Sequence, residues 1–479
     1  MKATIKTWTQ KRFDRANVDL APPSGEKGPH TVADLYCLAP DPNTGILHRG
    51  PAWTLAPAFP SGFKLPAGAF YDQANLRFCF IGTNAGGDCT LIYTTSFTSW
   101  SGPYTLVSGK ALGGLAGRNV AFWGGYLWLI TDDCYLYRGT NYTSSLSSFY
   151  GGGDAQVLAP MNDRMFAATS SGTVLRLTST PSMGAYHDPV GDLNPVFLAA
   201  FHQYMTVVSQ GDDDAIHIFR LPDYSAHGLH QLGTLPTPTY GGDEGCPFAL
   251  YGDRIWLLTA RQRQTASQYG IDAYAFNGSR IERAAYLDGQ PAATDPDASG
   301  LLVWNNRLVY YRLDVSANNG HTFKVLVGDT FVDYAPLSGY GGAGLLTPQA
   351  WALADYLIVS SAGGGDGQIH YANRSSLQDG YVVTSRLDMG YPGRKKRLEQ
   401  ITAILDGAAA DFKTVIKYRL NDGSGWTTAT TTDNGRIARV GGLGVEFYLI
   451  QLRIELDDDT GNEEDIGLEC VAVTYSVAQ

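Results

Sequence analysis

The chain predicts an all-β protein: a β-propeller of about seven blades followed by a C-terminal β-sandwich. Three observations carry this. Gly (56), Tyr (28), Phe (19) and Trp (9) are abundant, while charged residues make up only 17%; aromatics pack on pleated sheets and Gly serves turns. No long segment has the apolar spacing of a helix; the nearest, residues 394–400, is brief. Finally, one turn phrase recurs: WGGYLW at 123–128, MNDRMF at 161–166, YGDRIW at 251–256 and WNNRLV at 304–309. FHQYMT at 201–206 and ADYLIV at 354–359 are looser versions.

The phrase predicts a hairpin. In residues 115–140, Val120 to Trp123 form an apolar strand, Gly124 and Gly125 a two-residue turn of the type that needs positive φ, and Tyr126 to Ile130 the next strand. Seven segments share this plan: 76–95, 115–138, 158–177, 197–221, 248–276, 301–327 and 351–371. Aligned on Leu76, Tyr126, Met165, Tyr204, Ile255, Leu308 and Tyr356, they recur every 39 to 53 residues. That is the period of a four-stranded blade. Two stacked sandwiches are the rival all-β layout, but their strands would not repeat one turn phrase.

Three parts are expected. Residues 1–70 are broken by Pro22, Pro23, Pro29, Pro40, Pro42, Pro51, Pro57, Pro60 and Pro66 and read as an extended Pro-rich N-terminal arm packing on its own body or on a neighbour. Residues 71–375 hold the propeller. In residues 376–479 the strands lengthen, as in VIKYRL at 415–420 and FYLIQLRIEL at 447–456, and the region reads as a separate β-sandwich.

Bulk chemistry narrows the function classes. A net charge of −11 argues against a general nucleic-acid groove. No run of eighteen apolar residues occurs, so no membrane span is expected, and the N-terminus lacks the apolar stretch of a signal peptide. Cytoplasmic synthesis is expected. Six cysteines are scattered without zinc spacing; Cys79 and Cys89 flank a hairpin and either pair or stay reduced.

Few residues suggest chemistry. SANNGHTF at 316–323 matches the Asp-box pattern of propeller hairpins: Ser316, Asn318, Gly320, Thr322 and Phe323. Its role is structural, with Asn318 bonding the turn, Gly320 at positive φ and Phe323 packing beneath. Asp212 to Asp214 and the acidic run 457–465 read first as solvated turns and second as cation sites; calcium-loop spacing is missing. His227 and His230 read as surface residues. Arg164, Arg254 and Arg307 share one repeat position, which points to scaffold because an active site breaks symmetry. Arg394, Lys395, Lys396 and Arg397 form the one dense basic cluster, either a solvated strand entry or a contact with an acidic neighbour or DNA phosphates.

Short phrases frame the propeller. NTGILHRGP at 43–51 precedes it, SRLDMGYPGRKK at 385–396 opens the sandwich, and YRLNDGSGW at 418–426 follows as a hairpin. With the Pro-rich start, this layout resembles the tail nozzle, or packaged-DNA-stabilising, proteins of tailed bacteriophages. The resemblance implies a non-enzymatic virion protein of the phage tail, made in the host cytoplasm. It implies a homo-oligomeric, hexameric ring around the DNA exit channel. Partners would be portal, adaptor and other tail proteins, and genomic DNA would pass without sequence-specific binding. No catalytic, metal or cofactor residues are implied. The alternatives are a carbohydrate-binding or sialidase-like glycoside-cleaving propeller, in which exposed Trp and Tyr stack on sugars, and a generic protein-interaction propeller.

Overall fold

A computed structural model of the chain describes residues 4–11, 32–41, 46–161, 164–177, 193–211, 215–221, 230–236, 246–262, 268–291, 298–313, 321–337, 349–361, 367–407, 412–421, 423–433, 435–458 and 466–477. Among them every regular element is a strand, and no helix is long and apolar enough to cross a membrane. The chain divides into two compact units. One holds residues 54–322 and 337–371; the other holds 1–53, 323–336 and 372–479.

The chain opens with β1 (Thr4–Lys11), β2 (Val32–Tyr36), β3 (Leu38–Pro40), β4 (Leu47–Arg49) and β5 (Pro51–Leu55). Successive antiparallel sheets follow. Blade 1 is β6 (Phe63–Asp72), β7 (Arg77–Asn84), β8 (Cys89–Thr94) and β9 (Ser101–Val107). Blade 2 is β10 (Val120–Trp123), β11 (Tyr126–Ile130), β12 (Leu136–Gly139) and β13 (Ser147–Tyr150). Blade 3 has β14 (Ala155–Met161), β15 (Arg164–Thr169) and β16 (Val174–Leu177) among the described residues. Blade 4 is β17 (Asn194–Phe201), β18 (Tyr204–Gln210), β19 (Ile216–Leu221) and β20 (His230–Leu235). Blade 5 is β21 (Phe248–Tyr251), β22 (Arg254–Gln262), β23 (Gln268–Phe276) and β24 (Ile281–Pro291).

Blade 6 begins with β25 (Ala298–Trp304) and β26 (Arg307–Leu313); the hairpin β27 (Thr322–Val327) and β28 (Thr330–Asp333) falls mostly in the other unit. Blade 7 is β29 (Ala350–Leu353), β30 (Tyr356–Ser361) and β31 (Gln368–Leu377), with β5 as its fourth strand. The ring thus closes with a strand from the start of the chain. The closing core joins Trp351, Ile358 and Ile369 of blade 7 to Phe63, Phe78 and Phe80 of blade 1. Each fully buried side chain of this kind contributes about 1.5–3 kcal/mol.

The second strand of each blade explains the repeat. In β11, Leu127 and Leu129 point into the core shared with blade 1, while Trp128 and Ile130 point into the core shared with blade 3. Period-two alternation therefore sends neighbours to opposite cores, and both must be apolar. The same split occurs in β15, with Met165 and Ala167 on one side and Phe166 and Ala168 on the other. The turn phrase is the hairpin into this strand. Trp123 pairs with Tyr126, Tyr251 with Arg254 and Trp304 with Arg307. Gly124 and Gly125 take φ of 61° and 76°, Asn305 and Asn306 take 48° and 55°. These are the left-handed angles the tight hairpin requires.

The other unit is a sandwich. Its C-terminal strands are β32 (Gly380–Thr384), β33 (Lys396–Leu405), β34 (Phe412–Leu420), β35 (Thr427–Asp433), β36 (Ile437–Phe447), β37 (Ile450–Asp458) and β38 (Leu468–Val477). One sheet orders β3-β4-β38-β33-β36 and adds β1 on β38. The other runs β28-β2-β32-β37-β34-β35. Leu398, Ile401, Val471 and Val473 from the first sheet, and Val382, Ile416, Leu452 and Ile454 from the second, are buried. The unit is thus wider than residues 376–479: the segment read as an extended arm supplies β1 to β4. Prolines did not prevent this, because Pro40 and Pro51 stand at strand ends, where a missing donor costs little. The stretch 447–456, read as one strand, falls in two; the chain changes sheets at Tyr448 and Leu449, since β36 pairs with β33 and β37 with β34.

Candidate functional site

The axis of the propeller is occupied by the chain itself. Residues 112–119, between blades 1 and 2, form no blade strand. Gly113 N donates to Ile130 O at 2.9 Å, Leu115 N to Gln156 O of blade 3 at 2.9 Å, and Leu158 N to Arg118 O at 2.7 Å. The buried Arg118 guanidinium donates to Val196 O of blade 4 at 2.5 Å and to Ala116 O at 3.1 Å. It also lies 5.9 Å over the Phe248 ring of blade 5. Leu115 packs against the cores between blades 3 and 4 and between blades 4 and 5. One short loop touches blades 2 to 5, which a ring allows only near its centre.

Close approach dictates the glycine here. A Cβ on Gly113 would stand 2.2 Å from Thr131 O. Gln156 Nε2 donates to Pro195 O at 2.8 Å and to Asn194. The plug is therefore a hydrogen-bonded joint in which a buried cation meets backbone carbonyls. Sequence reading assigned residues 115–119 to a blade. The available signal was Gly113, Gly114 and Gly117 leading to a lone Arg118 and Asn119.

A second joint fastens blade 1 to blade 2. Asp72, at the end of β6, accepts from Ala74 N and Asn75 N at 3.1 and 3.3 Å and from Asn75 Nδ2 at 2.7 Å. Tyr142, from the loop after β12, donates its phenol to Asp72 Oδ2 at 2.5 Å and accepts from Arg77 at 3.4 Å. Burial pushes the Asp72 carboxyl up, but the bonds from Tyr142 and Asn75 outweigh it and hold it below the usual range. Burial and the Asp72 carboxylate push the Tyr142 phenol up.

The basic cluster divides into different roles. Lys396 is buried, donating Nζ to Arg394 O and Tyr448 O, both at 2.8 Å. Burial holds its pKa below the ordinary lysine value. Lys395 pairs with Glu446 at 2.5 Å and Arg397 with Glu399 at 3.8 Å, all near the surface. Before them, Gly390 N and Tyr391 N bond Asp388, and Tyr475 Oη donates to Met389 O at 3.0 Å.

Of the Asp-box residues, Thr322 opens β27 and Phe323 is fully buried, its ring 4.9 Å from Trp53. Phe323 O accepts from Tyr334 N at 3.0 Å. Ser316, Asn318 and Gly320 lie outside the described residues, as do Asp212 to Asp214, residues 459–465 and His227. His230 starts β20. Arg164 and Arg254 open β15 and β22, Arg254 pairing with Glu282 at 3.2 Å, whereas Arg307 is buried at the start of β26. Cys79 and Cys89 are free, buried in one core, and sit opposite Tyr93 and Thr83 rather than each other. Burial pushes both thiols up to about 12. No cluster of three metal-ligating side chains occurs among the described residues.

The fold and these joints define a seven-bladed propeller with an attached sandwich. No protein-family model matches the chain, and no curated protein does. Among solved structures it is similar to YCF48 from Cyanidioschyzon merolae, at 14% identity and TM-score 0.45, covering 67% of this chain and 98% of that one. BamB from Moraxella catarrhalis matches at 11% identity and TM-score 0.40 over 70% and 95% of the two chains. The exo-beta-1,3-galactanase from Phanerochaete chrysosporium matches at 11% and 0.30 over 88% and 100%.

Proposed function

We propose that the chain is a structural, non-enzymatic protein of a tailed-bacteriophage virion, one subunit of the homo-oligomeric nozzle ring around the DNA exit channel. It contacts portal, adaptor and other tail proteins. The observation that carries this reading is the use made of residues 385–396, the stretch bearing the family resemblance. They form a joint of the sandwich: Asp388 caps the turn, Tyr475 ties down Met389, and Lys396 clamps Arg394 O before β33 to Tyr448 O, where the chain changes sheets. The loop 112–119 supports the same reading, since it ties blades 2 to 5 together. A net charge of −11 suits a surface past which DNA slides, because adhesion grows with phosphate neutralisation.

Cryo-electron microscopy of the purified full chain, with and without a portal ring, tests this. Rings of about six copies that stack coaxially on a portal are expected. A monomer that hydrolyses fluorogenic glycosides would overturn it and establish the carbohydrate alternative.

A further inference from the structure

One end of the second sandwich sheet holds two arginines side by side. Gln451 of β37 opposes Arg419 of β34. On the other side of β37, Leu387 bridges Ile450, which puts Arg386 level with Gln451. The two arginines thus flank one residue. The carboxylate farther along this strand, Glu455, is taken up by other cations: Lys417 Nζ at 2.8 Å and Arg453 Nε at 2.7 Å.

Arg419 is half-buried and fixed in place. Its Nε donates to Gln451 Oε1 at 2.6 Å. Gln451 is 5% exposed and donates its own Nε2 to Thr384 O at 2.7 Å, so the bond has a firm anchor. The Trp426 ring covers one face of the guanidinium, its centroid 4.7 Å from Cζ. Among the described residues Arg419 has no carboxylate partner. Burial first, then the nearby charge of Arg386, hold its pKa below the ordinary arginine value. Two like charges kept together in a partly buried place cost stability unless a counter-charge joins them. An arginine held at Nε and across one face still presents both Nη groups, the edge that grips an oxyanion in a fork.

We propose that Arg419 and Arg386 form an oxyanion site at this end of the sandwich, and that it takes a phosphate group, free or in the backbone of a nucleic-acid strand. Arg419 supplies the fork and Arg386 the second charge. Gln451 sets the direction of the fork, and Trp426 its plane. A phosphate has oxygens for two guanidinium groups at once, whereas a carboxylate is filled by one fork. The site needs no ring: failure of the tail assembly leaves it standing, and a ring whose subunits bind no phosphate removes it.

Isothermal titration of the full chain with inorganic phosphate, and fluorescence anisotropy of a labelled oligothymidylate at low and raised salt, test this. Saturable phosphate binding is expected, weakened about ten- to hundredfold in Arg419→Gln and in Arg386→Gln. Lys395→Gln, outside the row, is expected to bind as the unmodified chain does. Thermal melts establish that each variant is folded; should Arg419→Gln not fold, Arg386→Gln carries the same reading. Tighter binding of the oligonucleotide, falling with salt, assigns the site to a strand, and no gain over phosphate assigns it to the free ion. Three results overturn the proposal: no binding of either probe, binding undiminished in the folded Gln variants, or poly-glutamate bound as tightly as phosphate.

Discussion

The Tyr142 phenol donates to the buried Asp72 carboxylate at 2.5 Å and so bolts the second blade of the propeller to the first. Phe70 and Phe122 flank the pair, with Phe70 and Tyr142 centroids 5.6 Å apart and Phe122 and Tyr142 5.9 Å apart. A charge-assisted bond in an apolar seam is worth more than its counterpart in water. Tyr142→Phe is expected to cost about 1.5–3 kcal/mol in chemical denaturation. Its pH signature follows from the depressed Asp72 pKa. The stabilisation is present above the ordinary aspartate value, near pH 4, and is lost as pH falls through the lower folded value. Melting curves should therefore show the gap between wild type and Tyr142→Phe full above about pH 4 and narrowing as pH falls below it.

Arg118 fills the axis and bonds Val196 O. Arg118→Met keeps much of the packing but strands that carbonyl without its cation. A loss of about 2–3 kcal/mol is expected for the propeller transition. Unchanged denaturation of this variant would show that the axial bond contributes nothing.

In the basic cluster, position matters more than charge. Lys396→Met removes both carbonyl clamps and should cost about 2–3 kcal/mol. Lys395→Ala and Arg397→Ala remove exposed, solvent-screened ion pairs and should leave stability nearly unchanged. Equal effects at all three positions would contradict this division.

His370, buried in β31, has its pKa lowered by burial to about 4. The unfolded chain takes up the proton first. Stability is therefore full above about pH 6.5 and falls as pH drops from there toward 4, by on the order of 3 kcal/mol. His370→Phe should lose this part of the acid sensitivity, as read from melting temperature against pH.

Ala354 holds φ of 49° in the hairpin of blade 7, where glycine fits without strain. Ala354→Gly should stabilise by about 1 kcal/mol in thermal melts. A destabilised variant would mean that the turn is not strained.

Much of the propeller was legible because its signal is local. Hairpin pairs such as Trp123 with Tyr126 lie three residues apart, and β11 must be apolar on both faces because each faces a blade. The turn residues and the continuous apolar runs therefore repeat visibly, and they determined the all-β class, the period and a count of about seven blades. Tertiary structure alone decided the joints. Thr4 meets Val477, Arg118 meets Val196 and Asp72 meets Tyr142 across long stretches of chain. Backbone pairing of β1 leaves no apolar pattern to read, so an exposed, Thr-rich strand resembled an arm. The four cations at 394–397 look alike in sequence. Only the sheet crossing at Tyr448 separates Lys396, which is buried against carbonyls, from its surface neighbours, because burial is set by the partner strand rather than by adjacent residues.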